Sequence, residues 1–288
     1  MKLRLVHSRA VLFAGALCLS PALLAAQEPP AGIRWDNQTE LSFVSTGGNK
    51  STNTLGAKST LIGKSGLNTF KVEGGGIRGE STVTTRTATG TTENFTLREI
   101  TESELTAASY FARTRYDRAL SNSFLFTGVG WDRNTFAGVS SRVGFVLGLG
   151  KTWVDSDTKR FKVDLGATYT IQKDVEPAPN ADEGFGGARI SLDAVTPLSA
   201  TSDYATILTI DQNVEDTEDR RADWTNSITV ALSARLALKT SLQLLFDNQP
   251  SLLRVPLVDD LGAPTGGRVA TPGARVDNVL TLTLVIRL

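Results

Sequence analysis

Most side chains that carry out enzymatic chemistry are missing from the bulk of this chain. Its one histidine, His7, and its one cysteine, Cys18, both fall within the first 26 residues. Beyond them a serine has no imidazole to activate it, and a zinc ion finds no thiolate or imidazole ligand. The expectation is a non-enzyme with no cofactor and no metal. Carboxylates at Asp216, Glu218 and Asp219, and at Asp259 and Asp260, offer oxygens to Ca²⁺. That ion needs several converging oxygens, so these clusters read first as solvated turns. The glycine runs "GGG" (74–76) and "LGLGK" (147–151) precede no helix and are not phosphate loops.

What remains is a set of charges at alternate positions: Arg113, Arg115, Asp117, Asp132, Arg142, Lys162, Asp164 and Arg235. Such groups make no bonds. They pair across strands to fill a narrow interior, or they line a polar passage that selects a small anionic or zwitterionic solute. Both uses require elements that aim them to one side.

Those elements are strands. In "RFKVDLGATYTIQ" Phe161, Val163, Leu165, Ala167, Tyr169 and Ile171 share one face, and Lys162, Asp164, Gly166, Thr168, Thr170 and Gln172 the other. This is period-2 alternation over more residues than an ordinary soluble strand. "SRVGFVLGLGKTW" and "DWTNSITVALSARL" repeat it, and no later stretch shows a comparable helical period. About 12 such segments are expected, near 35–47, 52–63, 66–78, 104–117, 122–133, 139–153, 160–172, 184–195, 203–214, 221–236, 239–248 and 275–288. Connections after the even-numbered segments are short. Those after the odd-numbered ones include the long stretches 79–103, 173–183 and 248–273.

Short turns on one rim and long loops on the other, with an even strand number, predict an all-β fold: a transmembrane antiparallel up-and-down β-barrel. A secreted sandwich also alternates, but its strands are shorter and its outer face is solvated. The opposite face here, rich in Gly, Thr, Ser, Asp and Arg, suits a polar lumen. Trp35, Tyr116, Trp131, Trp153, Tyr169 and Trp224 near segment ends suit membrane interfaces.

The start of the chain fits an exported protein. "MKLRLVHSRAVLFAGALCLSPALLAAQ" has a basic beginning, an apolar run and small residues before Gln27, so residues 1–26 read as a signal peptide cleaved after Ala26. Residues 27–34 then form a short periplasmic lead and 35–288 the barrel. Lys2, Arg4 and Arg9 leave with the signal, so 30 basic residues become 27 against 30 acidic, which gives nucleic acid no basic surface.

The stretches "LSFVSTGGNKSTNTLG" and "RTRYDRALSNSFLFTGVGWDRNTFAGVSSRVGFVLGLG" resemble the salt-induced outer-membrane protein family (YdiY-like). The matching residues are Gly48 and Asn49; Arg115, Tyr116 and Asp117; Asp132, Phe136 and Gly138; and Arg142, Gly148 and Gly150. The family has no assigned biochemical activity, so the resemblance implies an outer-membrane location and a barrel, not a reaction. Its Asp-Arg-Phe reads "DRNTF" here, which implies a longer turn after the fifth strand.

The chain closes on "NVLTLTLVIRL", where Leu280, Leu282, Leu284, Ile286 and Leu288 form one aliphatic stripe. In a closed barrel this strand pairs with the first and turns the stripe to lipid. It is also similar to the C-terminal signal read by the barrel-assembly machinery, with Leu288 where an aromatic is usual. The expected partners are outer-membrane lipid, lipopolysaccharide and that machinery, with small solutes for an open lumen. The expected state is a monomer. Two functions follow: a small passive solute channel or salt-stress envelope protein, or a non-conducting barrel acting through its long external loops.

Overall fold

The computed structural model describes residues 32–46, 50–90, 95–156, 158–177 and 184–288. The signal segment and most of the lead therefore lie outside the described residues. Twelve antiparallel strands close into a barrel: β1 (Arg34–Thr46), β2 (Lys50–Ser65), β3 (Asn68–Gly90), β4 (Phe95–Leu120), β5 (Ser123–Asn134), β6 (Val139–Asp155), β7 (Arg160–Asp174), β8 (Gly184–Pro197), β9 (Ser202–Asn213), β10 (Arg220–Ala231), β11 (Leu236–Asp247) and β14 (Val276–Arg287). Each pairs with its sequence neighbour, except that β14 lies between β11 and β1. Between β11 and β14 the chain makes a separate two-stranded ribbon, β12 (Leu252–Val258) with β13 (Pro264–Pro272).

The ladder assigns a face to every strand residue. Arg115 pairs with Gly128, which pairs with Val146, so alternate positions share a side from strand to strand. That side is the interior, because Arg115 on β4 reaches Asp164 on β7 at 2.9 Å past β5 and β6. Only a chord through the lumen is that short. The other side carries Leu41, Phe43, Leu147, Leu149, Leu165, Ile228, Leu280, Leu282 and Leu284, all exposed. An aliphatic belt around a closed barrel is stable in hydrocarbon and unstable in water. Outward polar groups are satisfied in pairs, as hydrocarbon requires: Trp224 Nε1 donates to Thr206 Oγ1 at 2.9 Å, and Tyr204 Oη to Asn226 Oδ1 at 2.6 Å. Trp35, Tyr116 and Trp153 stand toward the short-turn rim, and Trp131, Tyr169 and Trp224 toward the other.

Three expectations need correction. Residues 79–90 and 95–103 are not a loop, since β3 and β4 continue through them as a paired hairpin that runs beyond Val83, the last residue paired with β2. Thr-rich sequence with few apolar residues hides this extension, yet it holds itself together: Thr82 and Ser103 hydroxyls are 2.8 Å apart, and those of Thr84 and Thr101 are 3.2 Å apart. Second, the stretch 248–273 holds the β12–β13 ribbon. Third, β10 ends at Ala231 and the turn occupies 232–235, because Leu232 N and Ser233 N donate to Leu236 O. Alternation alone had carried that strand through the turn.

Candidate functional site

The interior is built from side chains on the inward register of all twelve strands. Seven of the eight charges singled out above sit on it: Arg113, Arg115 and Asp117 on β4, Asp132 on β5, Arg142 on β6, and Lys162 and Asp164 on β7. Arg235 does not. It lies exposed in the short β10–β11 turn, the consequence of that strand ending five residues early.

Toward the short-turn rim the lumen is narrowed by a packed cluster. Phe124 and Phe126 point inward from β5 and are buried, Phe126 to 1% exposure. They fit because the facing positions on β6 and β7 lack side chains. A Cβ on Gly150 would stand 2.1 Å from Phe124, and one on Gly148 would stand 2.8 Å from Phe126. The glycines of "LGLGK" and Gly166 are thus cut-outs for two aromatic rings. The Arg115 guanidinium lies 4.1 Å from the Phe126 ring centre, and donates to Asp117 at 2.8 Å and Asp164 at 2.9 Å. Planar, weakly hydrated Arg suits this stacked and bidentate role in a way Lys would not.

Ion pairs the sequence reading missed complete the wall. Lys239 on β11 donates to both oxygens of Glu40 on β1 at 3.0 and 3.1 Å, across β14. Arg189 and Asp211 form a two-bonded pair at 2.7 and 2.9 Å. Arg221 meets Asp219 at 2.9 Å and Asp247 at 3.5 Å, and Arg160 meets Asp193 at 2.9 Å. Glu73 is approached by Lys71, Lys58 and Arg113 at 2.9, 3.8 and 4.0 Å. Apart from Arg113, alternation singled out none of these positions. Their partners come from pairing register, and for Lys239 from a contact 199 residues away in sequence.

The opposite mouth is crossed by the segment after β11. Ser251 Oγ donates to Asp174 Oδ1 at 3.0 Å at the end of β7, and Ser251 also packs on Gly138 in the β5–β6 turn. Three residues separate Asp247 from Ser251, four Cα steps or about 14 Å fully extended. That is too short to follow the rim past β10, β9 and β8, so the segment runs chordwise as a strap. Gly273 N donates back to Ser251 O, which doubles the crossing. Beyond it Arg254 NH2 donates to Glu176 Oε1 at 2.8 Å in the β7–β8 connection. That bond holds the Glu176 carboxyl below the usual carboxylate range. On the wall beneath, Arg142 donates to Gln172, Gln172 to Asp174, and Asp174 accepts from Ser251. A single hydrogen-bond chain therefore joins the strap to the lumen wall.

The acidic residues read as turns are engaged locally. Asp219 takes Asn213 and Arg221, and Asp216 takes Glu218 N and Gln249. Asp259 accepts from the backbone of Leu261 and Ala263 in the ribbon tip.

A family described as protein of unknown function, DUF481, matches residues 39–252. Among solved structures, the chain is similar to the COG4313 outer membrane channel from Pseudomonas putida F1, with 11% identity over 91% of this chain and 97% of that one and a TM-score of 0.42. It is similar to the NanC porin at 10% identity over 88% and 98%, TM-score 0.40. It is also similar to the translocator domain of autotransporter NalP from Neisseria meningitidis at 13% identity over 91% and 89%, TM-score 0.39. These likenesses are ones of barrel architecture. Among curated proteins none matches the chain.

Proposed function

The chain belongs to the DUF481 family, and from that premise we propose that it is a monomeric outer-membrane β-barrel serving as a small-solute channel. Cleavage after Ala26 would precede its insertion among lipid and lipopolysaccharide by the barrel-assembly machinery. No catalytic step is assigned to it, and the family resemblance suggests a role in salt or osmotic stress.

One observation carries the channel reading. Inward charges on the wall away from the Phe124–Phe126 cluster keep much of their surface: the side chains of Arg113, Lys58 and Lys71 are 48%, 37% and 36% exposed. Charges that merely filled a solid barrel would resemble Asp164, whose side chain is 9% exposed. Desolvating them without full pairing would cost several kcal/mol each, on the order expected for a buried ion. Water around them supports a passage beside the packed cluster. The test is planar-bilayer recording of refolded protein with liposome swelling in sized sugars. Discrete steps and size-limited swelling are expected, and sealed liposomes with a silent bilayer would overturn the channel.

The extended β3–β4 hairpin favours a second reading, a non-conducting barrel that acts on surface partners. Its Thr84–Thr101 hydroxyl pair lies beyond Val83, the last residue that β2 pairs. Deleting residues 81–103 would then alter envelope integrity while liposomes stay sealed with or without the hairpin.

A further inference from the structure

The strap divides the mouth unequally. It runs from the β11–β14 side to the ends of β6 and β7, leaving three strands, β8 to β10, on one side and five, β1 to β5, on the other. On the smaller side the lumen is taken up by the Arg189–Asp211 pair and by Arg221 between Asp219 and Asp247. Directly above Lys58, Glu73 and Arg113 the inward positions of β1 to β4 are uncharged: Ser42 on β1, Gly56 on β2, Gly75 and Ile77 on β3, Ser109 and Phe111 on β4; on β5 the inward Asp132 faces Arg142 at 3.8 Å. A solute moving down the β1–β4 wall from that level next meets the fixed charges of Lys58, Lys71 and Arg113.

Those three cations share one carboxylate. Glu73 is bound at hydrogen-bond distance only by Lys71, at 2.9 Å, while Lys58 at 3.8 Å and Arg113 at 4.0 Å stand beyond it. Glu73 on β3 pairs directly with Arg113 on β4, and Lys58 on β2 lies two residues from Thr60, the β2 partner of Glu73, on the same inward side. The local balance is three positive charges against one negative. Lys58 and Arg113 thus stand outside hydrogen-bond distance of Glu73, and both side chains keep more than a third of their surface. Arg113 is held over the Phe111 ring, 4.9 Å from its centre, which fixes the guanidinium while leaving its edge free. The other inward acids, Glu40 directly across from Lys58 among them, have cations of their own. Asp117 and Asp164 are taken by Arg115, Glu40 by Lys239, and Asp193 by Arg160.

We propose that Lys58, Lys71 and Arg113 form a binding station for a small oxyanion, a carboxylate or phosphate borne by the permeating solute, with Glu73 as the counter-charge that keeps binding weak enough for release. A passage needs that balance, since a site that binds too tightly stops flow. The proposal deepens the channel reading by naming its solute class, yet binding itself can be read without conduction.

The experiment uses full-length mature protein refolded in detergent, with inorganic phosphate as the probe in calorimetry, alongside reversal potentials in planar bilayers across a KCl gradient. Wild type is expected to bind phosphate and to favour Cl⁻. Lys58→Gln and Arg113→Gln should each weaken binding about tenfold, the loss of one charge-assisted hydrogen bond, and shift the reversal potential toward K⁺. Lys58→Arg should retain binding. Glu73→Gln should tighten it severalfold, the opposite of what loss of a merely structural ion-pair centre would do. Lys162→Gln, whose charge is paired with Asp155 at 3.1 Å near the short-turn rim, should leave it unchanged. A silent bilayer with the binding pattern intact would overturn the channel and keep the station. Conductance whose selectivity ignores Lys58→Gln and Arg113→Gln, or phosphate binding that ignores them, would overturn the station.

Discussion

Arg115 and Asp164 lie 49 residues apart in sequence, on strands separated by two others, yet their side chains meet at 2.9 Å inside the barrel. Asp164 Oδ2 takes the guanidinium, and Oδ1 has no protein partner among the described residues. Arg115 meanwhile divides its donors between Asp164 and Asp117 and stacks on Phe126. One arginine thus ties β4 to β7 across the lumen at the level of the packed rings.

Asp164→Asn should loosen that level. The amide keeps the volume but leaves Arg115 with Asp117 as its only anionic partner. A stability loss of about 1–3 kcal/mol is expected from weakening a charge-assisted bond at a largely buried acceptor. It is reduced because Arg115 keeps one third of its surface. Single-channel conductance should rise as Arg115 swings toward β4. Urea titration of tryptophan fluorescence and bilayer recording check the two effects. Unchanged conductance with a lowered midpoint would make the pair purely structural.

The second prediction concerns the ring cut-outs. Gly150→Ala puts a methyl into the Phe124 ring, and overpacking of this kind costs about 1–3 kcal/mol. Combining it with Phe124→Leu should recover much of the loss, because the shorter side chain vacates the contact. Two losses that simply add would show that the ring and the glycine do not meet. The double-mutant cycle in urea measures the coupling.

How far these features were legible depends on which physical signal each leaves in sequence. Period-2 alternation marked the strands, and face parity placed Arg113, Arg115, Asp117, Asp132, Arg142, Lys162 and Asp164 on the inner side. Parity fails at turns, and Arg235 was lost for that reason: "ALSARL" alternates straight through a bend set by Leu232 and Ser233 hydrogen bonds. The hairpin past Gly79 was missed because, clear of the lipid, it has no apolar face to alternate. Glu73, Lys58 and Lys71 were unmarked because a charge cluster shared among three strands appears only once register is known. The strap left no sequence signal, since it depends on Ser251 meeting Asp174 and Gly138 from distant parts of the chain.

The strap should answer to acid. Arg254 holds the Glu176 carboxyl below its usual range, so the folded group binds its proton less readily than the free one. The clasp is therefore complete above the ordinary carboxylate range. It is lost only as pH falls through the lowered value. Pepsin, active in acid, should nick the 252–272 ribbon only at the bottom of its pH range in wild type. Glu176→Gln should be nicked at every pH at which pepsin works. Identical nicking profiles would mean that Ser251 and Gly138 alone hold the strap.

The barrel's closure rests on its shortest seam. Register between β1 and β14 runs over four pairs, from Gln38 with Arg287 to Leu41 with Leu284, whereas β14 pairs with β11 over eleven. Asn37 and Leu288 add a reciprocal pair of backbone bonds, 3.3 and 3.0 Å, beyond the end of that register. Deleting Ile286 to Leu288 removes both of those bonds and half of the four pairs, leaving strand edges in hydrocarbon at several kcal/mol per unsatisfied group, by the usual order. Loss of the heat-modifiable band of the folded barrel is expected, in detergent as well as in cells. Leu288→Phe keeps every backbone bond, so refolding in detergent should be unaffected by it. Any gain it brings should appear only in cells, as faster assembly, because only there is a terminal aromatic read. A seam that closes without its last three residues would show that β11 and β2 suffice to hold β14 and β1 in place.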